Sequence, residues 1–293
     1  MVAHIPPRFL YRYRPAGTSY FAEELRRAVE NREIYLSKIN SVNDPFEASP
    51  VLTANAIKEV RQYLSDFEIV FGKGIALSGT DFNKIANQHG IAKSKVRKFV
   101  GPSLEGARNT VSLLEGALED VRSRIRIACL SERWESLLMW GHYGQSHRGV
   151  CIEYEVKIDV GAKARVAPVS VDYVIQRPTV TYLELMEYFA SARNAERPEF
   201  FNAERVARTF DSIALTKPKD WEYEREWRIM DVSDSAAGYF RVASLEPKSI
   251  LLGANHSQEV LEIVRSVAAG RVVIEVVSLD NRQFALRRRA LGA

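Results

Sequence analysis

The densest group of chemically useful side chains lies between Trp221 and Arg228, where the sequence reads WEYEREWR. If this segment is a strand, Glu224, Glu226 and Arg228 share one face, because side chains alternate along a strand. Two carboxylates on one face can hold a sugar hydroxyl and stabilise a developing positive charge. On a helix, Glu222 and Glu226 would pair instead at positions i and i+4. A solvent-exposed charged strand with two packing tryptophans fits the same letters, so these interpretations stay open.

A second block combines a strand, a helix and a returning strand within a short stretch of chain. The strand ends at Ser131, the helix over 134–144 presents Trp140 and Tyr143, and the next strand covers 149–156. This order predicts an aromatic pocket floor with Ser131 at its rim. Packing of the same aromatic side chains in the core is the alternative interpretation.

The segment Asn43-Asp44-Pro45-Phe46 combines polar, acidic and aromatic groups around a proline. Asn, Asp and Pro are typical of turns, because they cap the local backbone or preset its φ angle. The same mixture of groups also suits a substrate-binding loop, and we carry Asn43 and Asp44 as candidate binding residues.

Metal chemistry has little support in the sequence. His142 and His147 are five residues apart, which does not place them on one helical face, and no acidic partner stands at ligand spacing. The two cysteines, Cys129 and Cys151, form no zinc spacing and lie in apolar runs, so we expect buried free thiols. We therefore expect no metal site.

Charge permits an anionic partner without requiring one. The chain carries a formal net charge of +4 and a pI near 9.0. Basic side chains are concentrated in one internal run and in the C-terminal tail, and both fit solvated faces or contacts to a phosphate backbone. These residues are Lys93, Lys95, Arg97, Lys98, Arg287, Arg288 and Arg289.

The alternation of short elements predicts an α+β fold with a mixed or antiparallel β core, formed by a single domain over residues 1–293. Strands and helices intermix without a regular βαβ rhythm, and a mostly helical insertion is expected at about 55–125. We expect strands at 9–13, 34–37, 125–130, 149–156, 166–174, 227–232, 239–242, 250–252 and 272–277, with 227–232 paired to 239–242, and helices at 20–31, 134–144, 181–192, 199–214 and 256–269.

Targeting signals are not evident in the sequence. Residues 1–8 lack an apolar signal core, and no apolar stretch approaches the roughly 18 residues of a membrane helix. A cytoplasmic protein without membrane contact is therefore expected, and the oligomeric state is left open.

Four blocks together resemble an uncharacterised bacterial family, a domain of unknown function. They are Tyr11-Arg12-Tyr13, Asn43 to Phe46, Cys129 to Tyr143 and Trp221 to Arg228. The resemblance spans nearly the whole chain, and the family conveys no activity.

The order of the same blocks is also similar to the ADP-ribosyltransferase superfamily, and this similarity implies a β core of that type. Leu10-Tyr11-Arg12 matches the first strand that holds NAD, and Ser131 and Tyr143 match the following strand and helix. Glu224-Arg225-Glu226 matches the strand with the catalytic glutamate. The long segment at 55–125, and the lack of a Ser-Thr-Ser sequence after the strand at 125–130, depart from the superfamily pattern.

This second resemblance implies roles for the candidate residues in cleaving the nicotinamide–ribose bond of NAD. Glu226 would stabilise the oxocarbenium-like transition state, and Glu224 would act as base on the acceptor. Arg12 would hold the NAD diphosphate or adenosine ribose. Tyr143, or Trp140, would stack on nicotinamide, with a hydrogen bond from Ser131 nearby.

The resemblance leaves the acceptor and the biological role open. The acceptor could be a protein, a nucleic acid or water, which gives a transferase or an NAD glycohydrolase, and such domains often serve as bacterial toxins or in defence. A transferase predicts that Arg12, Ser131, Tyr143 and Glu226 line one cleft. A non-catalytic nucleotide-binding module predicts instead that Glu226 is tied up in an ion pair. A metal-dependent nuclease would use Asp44 with both glutamates.

Overall fold

The structure is a computed structural model that describes residues 5–71, 103–157, 167–193, 202–231 and 237–292, together with positions 87, 90 and 92. The predicted basic run at 93–98 lies outside the described residues.

The helices and strands follow the sequence-based expectation closely. The helices are α1 (Phe21–Arg26), α2 (Ala56–Phe71), α3 (Leu104–Arg124), α4 (Leu137–His142), α5 (Tyr182–Arg193), α6 (Ala203–Ala214) and α7 (Gln258–Ala268), and a π-helical turn, Arg27–Asn31, extends α1. The strands are β1 (Phe9–Arg14), β2 (Glu33–Lys38), β3 (Val51–Leu52), β4 (Arg126–Ser131), β5 (Val150–Val156), β6 (Val169–Ser170), β7 (Asp172–Val174), β8 (Thr179–Val180), β9 (Thr216–Pro218), β10 (Glu226–Asp231), β11 (Gly238–Arg241), β12 (Leu245–Leu252), β13 (Val273–Leu279) and β14 (Leu286–Ala290).

Internal contacts divide the chain into two compact units. The helical unit comprises residues 46–123 and 176–216, and the sheet unit comprises 2–45, 124–175 and 217–293. The sequence did not indicate that 176–216 groups with the first inserted stretch. The prediction of one domain over 1–293 with an insertion at about 55–125 stays a prediction.

The sheet unit is built on a mixed, mostly antiparallel sheet, which confirms the predicted α+β class. Its strand order is β11-β2-β4-β1-β5-β12-β13-β14, and β10 pairs with both β4 and β6. The parallel pair is β12 with β13, which α7 connects. The expected pairing of 227–232 with 239–242 is wrong, because β10 pairs with β4 whereas β11 pairs with β2. The short distance between the two segments in the sequence suggested a hairpin. Each of them pairs instead with a strand from an earlier part of the chain, β10 with β4 and β11 with β2.

The two faces of this sheet are covered by different elements. One face carries the main apolar core, in which Leu10, Ile152 and Ile250 pack with side chains of α1 and α7. The opposite face carries a smaller cluster in which Tyr11 and Tyr13 pack with Trp140 of α4. Side-chain alternation therefore sends neighbouring residues of β1 into different environments.

Two strands, β1 and β2, pair with different parts of the same edge of β4. β10 runs along the whole of β4, from Arg126 to Ser131, and so takes one edge of that strand. On the other edge, β1 pairs at Ser131, and β2 pairs at Ile127 and Arg126. Among the described residues, no strand pairs with the stretch of β4 around Cys129 on that side.

The helical unit is held by polar contacts as well as by apolar packing. Tyr182, at the start of α5, donates its backbone N–H to Glu59 at 2.9 Å and its hydroxyl to Glu115 at 2.6 Å. Arg205 of α6 donates to Glu187 of α5 at 2.7 Å. These contacts join α2, α3, α5 and α6.

In the turn between α4 and β5, the main chain packs directly against the main chain of neighbouring segments. Gln145, Ser146 and His147 all adopt positive φ angles, of 51°, 53° and 65°. Gly149 follows, and a Cβ there would lie 2.2 Å from the carbonyl oxygen of Arg14. Its own carbonyl accepts the N–H of Gly253 at 2.9 Å. No side chain fits at Gly149, so glycine is required by space.

We predict that Gly149→Ala lowers the free energy of unfolding by about 1–3 kcal/mol, the usual cost of overpacking. The matched control is Gly141→Ala within α4, where a Cβ meets nothing within 4 Å. This control should be neutral or gain up to about 1 kcal/mol from helix propensity. Chemical denaturation of both variants checks the pair, and equal stabilities would contradict the packing described.

Candidate functional site

Glu224 and Glu226 reach their positions through a sharp change in backbone direction. A 3-10 turn, Lys219–Glu224, precedes Arg225, whose φ of 45° is left-handed, and β10 begins only at Glu226. The expectation that Glu224 belongs to the strand is therefore wrong. The expectation of a solvated charged strand is also wrong, because Glu224 is 4% and Glu226 3% exposed.

A lysine from a neighbouring strand brings the two carboxylates together. Lys217 of β9 donates from Nζ to Glu224 Oε2 at 2.6 Å and to Glu226 Oε2 at 3.1 Å. Arg228 donates from Nε to Glu226 Oε1 at 2.8 Å, and its side chain is 1% exposed. We call Lys217, Glu224, Glu226 and Arg228 the Lys217 cluster.

Charge pairing, rather than burial, sets the protonation of Glu226 and Lys217. Burial would raise the pKa of the Glu226 carboxyl, but Arg228 and Lys217 outweigh it and hold that pKa at about 2. Burial would lower the pKa of the Lys217 ammonium, but Glu226 and Glu224 raise it well above its usual range. Both groups are therefore charged at neutral pH.

Glu224 is held differently and points toward the α4 side of the cluster. Its Oε1 accepts the Tyr143 hydroxyl at 2.5 Å, and that hydroxyl accepts Asn43 Nδ2 at 2.9 Å. Burial, with a further contribution from Glu226, raises the pKa of the Glu224 carboxyl despite the opposing charge of Lys217. Burial and the Glu224 contact raise the pKa of Tyr143 as well.

Ser131 positions backbone in this cluster. Its hydroxyl donates to the Glu224 carbonyl at 2.5 Å and accepts the Arg133 N–H at 3.1 Å, and the residue is fully buried. The Glu226 N–H similarly donates to the Tyr173 hydroxyl at 2.7 Å. These bonds fix the main chain on both sides of the left-handed Arg225.

Cys129 differs from the expectation of a buried thiol, whereas Cys151 is buried as expected. Cys129 is exposed, in the stretch of β4 where β1 and β2 separate. Although its side chain meets solvent, the dense protein environment and the Glu226 carboxylate raise the pKa of its thiol. Cys129 therefore shows that solvent reaches the immediate neighbourhood of the Lys217 cluster.

Partly exposed rings border the cluster. Lys217 Nζ lies 4.8 Å from the Trp221 ring centroid, and the Trp221 and Tyr223 centroids are 6.1 Å apart. His142 Nδ1 and the Tyr223 hydroxyl are 2.9 Å apart. Trp221, Tyr223 and Tyr143 are half-buried, and His142 is exposed. We call these four residues the aromatic rim.

The structure brings together most of the predicted site residues. Ser131, Tyr143, Glu224 and Glu226 meet in one place although they come from distant segments, and Asn43 joins them through Tyr143. Asp44 is buried beside Asn43 in the chain.

Arg12 does not join them, so the expectation that it lines the same cleft is wrong. Tyr11 pairs with Ser131, and Ser131 pairs with Glu226, so these three side chains share one sheet face. Arg12 therefore points to the other face, where it donates to the Tyr35 carbonyl at 2.9 Å and lies 3.8 Å from Glu24. Its guanidinium bridges β1 and β2 where the strands separate.

Trp140 is also misplaced by the sequence interpretation. Its side chain is fully buried, donates from Nε1 to the Trp134 carbonyl at 2.7 Å and packs edge-on against Tyr13. It belongs to the core under α4 and has no surface for stacking on a ligand.

The described residues also bear on the candidate metal ligands and on the basic C-terminal tail. Within the described ranges, no cluster of three or more His, Cys, Asp or Glu side chains could hold a metal ion. The Lys217 ammonium contacts both Glu224 and Glu226, where a shared metal would have to lie. In the basic tail, Arg287 pairs with Asp280, and Arg288 pairs with Glu153 at 2.8 Å.

Sequence reasoning missed Lys217, Tyr173 and the partnership of Tyr223 with His142. Lys217 follows an apolar run, and a lysine there carries no recognisable spacing to Glu224. Tyr223 lies inside the WEYEREWR block, but only the fold shows which side chain it meets.

Comparison with known families gives a match over part of the chain. Residues 139–229 match the family described as a protein of unknown function (DUF2971). This match confirms the expected resemblance to an uncharacterised family over a segment that contains Tyr143, Lys217, Glu224 and Glu226. No curated protein and no solved structure matches the chain.

In the part of the chain that is described, no helix has the length and apolar character needed to cross a bilayer.

We predict that Lys217→Met destabilises the protein by about 3–5 kcal/mol, because it leaves two carboxylates buried without their shared cation. Lys219→Met is the matched control, since Lys219 is 53% exposed and its partner Glu222 is 39% exposed. Its effect should stay within about 0.5 kcal/mol. Urea denaturation at neutral pH measures both, and similar losses would show that Lys217 does not hold the cluster together.

Acid should weaken the fold through Glu226. Its pKa of about 2 in the folded state lies below the unfolded value of about 4.3. The resulting stability is present above the unfolded value and is lost as pH falls toward the folded value. We predict that Glu226→Gln flattens the dependence of unfolding free energy on pH across this window. Glu119→Gln, which changes a 62% exposed side chain, should leave the slope nearly unchanged.

Proposed function

We propose that the Lys217 cluster and the aromatic rim form a nucleotide-binding site. The observation that carries this proposal is the rim itself, because half-buried rings border a group of buried ionisable side chains with strongly shifted pKa values. Such shifts concentrate at functional positions. Aromatic groups beside converging polar groups are also the usual composition of small-molecule sites.

The rings are suited to the planar part of a nucleotide. Trp221 and Tyr223 keep part of their surface open to solvent while their other side packs on protein. A base or a nicotinamide ring stacking on them would bury apolar area that is now exposed. Base–aromatic stacking contributes about 1–3 kcal/mol for each base.

The polar edge beside the rings is suited to ribose. Tyr143 is half-buried, and its hydroxyl connects exposed Asn43 to Glu224. A sugar hydroxyl can enter this chain of hydrogen bonds, because hydroxyl, amide and carboxylate groups supply both donors and acceptors. NAD offers a ring and ribose together and is the first ligand to test.

Binding without catalysis is favoured by the state of Glu226. Its side chain is 2% exposed and is fully engaged by Arg228 and Lys217, which is the arrangement expected of a binding module. Arg12, the residue implied for the NAD diphosphate, lies on the other sheet face. A metal-dependent nuclease is not proposed, because Lys217 contacts both carboxylates.

A second candidate, an ADP-ribosyltransferase-like enzyme, is favoured by the meeting of Ser131, Tyr143, Glu224 and Glu226. The resemblance implied this convergence, and a β core of that superfamily's type belongs to this candidate. In such an enzyme Glu224 would take the role first assigned to Glu226, because it contacts the rim through Tyr143. The acceptor would be a protein, a nucleic acid or water.

We predict that the protein binds NAD, and that Trp221→Ala weakens binding about 5- to 150-fold, which corresponds to about 1–3 kcal/mol of stacking. Trp134→Ala is the matched control, since Trp134 is also half-buried but lies over Arg288, 5.0 Å from its guanidinium carbon. Isothermal titration calorimetry with NAD, ADP-ribose and ATP measures the affinities. Absence of binding for all three, or equal losses in both variants, would contradict the proposal.

A second measurement uses Cys129 as a reporter for the same site. Cys129 is exposed, whereas Cys151 is buried. Alkylation of the native protein should therefore modify Cys129 first, slowly at neutral pH because its thiol pKa is raised. Bound NAD should slow this alkylation further, and mass spectrometry locates the modified residue.

The second candidate predicts that wild-type protein releases nicotinamide from NAD and that Glu224→Gln cuts turnover by about 100- to 1000-fold. Glu226→Gln should act mainly through lost stability, so its turnover per folded molecule should fall less. Nicotinamide release with and without cell lysate as acceptor source is the assay. An inactive wild type that still binds NAD would leave the binding module as the function.

A further inference from the structure

Two hydrogen bonds connect the end of α4 with the turn before β10, and each joins a tyrosine hydroxyl to a side chain that can accept its proton. Tyr143 donates to Glu224 at 2.5 Å, and the Tyr223 hydroxyl lies 2.9 Å from His142 Nδ1. Each element thus supplies one tyrosine and one proton acceptor, at adjacent positions of the chain. The pair with Glu224 is the buried one, and the pair with His142 is exposed.

The exposed pair contributes little to holding the fold. Hydrogen bonds between neutral groups add only about 0.5–1.5 kcal/mol even when protected, and both groups of this pair can bond to water when unfolded. The bond does fix the direction of two groups that transfer protons. An imidazole without a proton on Nδ1 accepts from the tyrosine hydroxyl, which makes the phenolic oxygen a better acceptor for a second proton.

We propose that Tyr223 and His142 form a proton relay that serves a hydroxyl-bearing second substrate, which receives the ribosyl group of a nucleotide bound at the aromatic rim. This inference rests on the proposed nucleotide site and on the second candidate activity, for which it names the proton acceptor and the class of second substrate. Glu226 is sealed by Arg228 and Lys217. Glu224 is bonded to Lys217 and to Tyr143, beside which we place the ribose. The site then lacks a proton acceptor for the second substrate, and the exposed pair supplies one.

The proposed step balances without an oxidant or a reductant. The bond between ribose C1′ and the nicotinamide nitrogen breaks, and its electron pair leaves with nicotinamide. The acceptor oxygen forms a bond to C1′ and passes its proton to the Tyr223 oxygen, while the Tyr223 proton moves to His142 Nδ1. The imidazolium then releases one proton to water. Tyr223 touches the acceptor and is the catalytic residue, and His142 is its positioning residue.

The relay also restricts the class of acceptor. A hydroxyl must lose a proton when it attacks C1′, whereas a carboxylate at neutral pH has none to lose. The relay therefore excludes carboxylate acceptors and requires a protonated nucleophile; among these we propose a hydroxyl, such as a serine or threonine side chain, that approaches the exposed side of the rim.

The experiment uses the full chain with radiolabelled NAD and a hydroxyl-bearing acceptor, for which serine- and threonine-containing peptides are the probe. Tyr223→Phe removes the hydroxyl but keeps the ring, and we expect transfer to fall about 100-fold, the lower range for general base catalysis, while NAD affinity changes less than threefold. Tyr239→Phe is the matched control, since this half-buried tyrosine of β11 lies over Arg27 and not at the rim.

His142→Ala should lose transfer to a similar degree, and added imidazole should restore part of it, which a structural defect would not allow. The product should resist neutral hydroxylamine, which cleaves carboxylate esters but not hydroxyl-linked ribosides. Full transfer by Tyr223→Phe, absence of imidazole rescue, or a hydroxylamine-sensitive product would overturn the relay. A wild type that binds NAD without any transfer overturns the relay alone, and a wild type that binds no nucleotide overturns the proposed site as well.

Discussion

The Lys217 ammonium is the interaction on which the arrangement of the site depends. It contacts two carboxylates that come from either side of a left-handed residue and that are almost sealed from water. Without a shared cation, two glutamates this close would repel each other and at least one would bind a proton. With it, Glu226 stays charged and Glu224 retains a carboxyl whose pKa is raised. The two glutamates can thus have different tasks although they are two residues apart.

The rest of the sheet unit explains why this cluster lies at an accessible place. β1 and β2 separate along one edge of β4, and the exposed Cys129 lies in the interval between their pairings. Arg12 bridges the two strands by bonding to the Tyr35 carbonyl, which stabilises the separation from the other face. α4 then covers the smaller core with Trp140 and places His142 and Tyr143 beside the turn that carries Tyr223. Tyr143 and Tyr223 also pack against that smaller core, so the site adjoins it directly.

Local patterns predicted the elements well, because periodicity and turn residues act over a few positions. The first strand, the helix after it and the strand at 150–156 all form where alternation and apolar spacing indicated. The pairing of β10 with β4 was not predictable from such patterns, since strand partners depend on contacts between distant segments. The predicted position of Arg12 was wrong for a related reason. The register between β1 and β5 decides which face of the sheet the Arg12 side chain lies on, and a shift of one residue would move that side chain to the other face.

For the candidate site, too, the sequence indicated local features but not the contacts between distant segments. The residue types in the WEYEREWR block indicated Glu224 and Glu226, and the aromatic block indicated Tyr143, because carboxylates and tyrosines are recognisable as chemistry in a sequence. Lys217 was missed because nothing in the sequence distinguishes a buried lysine from a solvated one. Ser131 was found, but its hydroxyl serves the backbone of Glu224 and not a ligand. Residue types in the sequence thus indicate candidate site residues, but only the burial and the hydrogen-bond partners of each side chain show its role.

The central claim is that a nucleotide occupies the aromatic rim beside the Lys217 cluster. The most direct measurement is a crystal structure of the protein grown with saturating NAD. The account predicts density for a planar ring stacked on Trp221 or Tyr223, with a ribose hydroxyl within hydrogen-bond distance of Tyr143 or Glu224. Density for the nucleotide at any other surface, or a rim open to solvent and empty at saturating NAD, would contradict it.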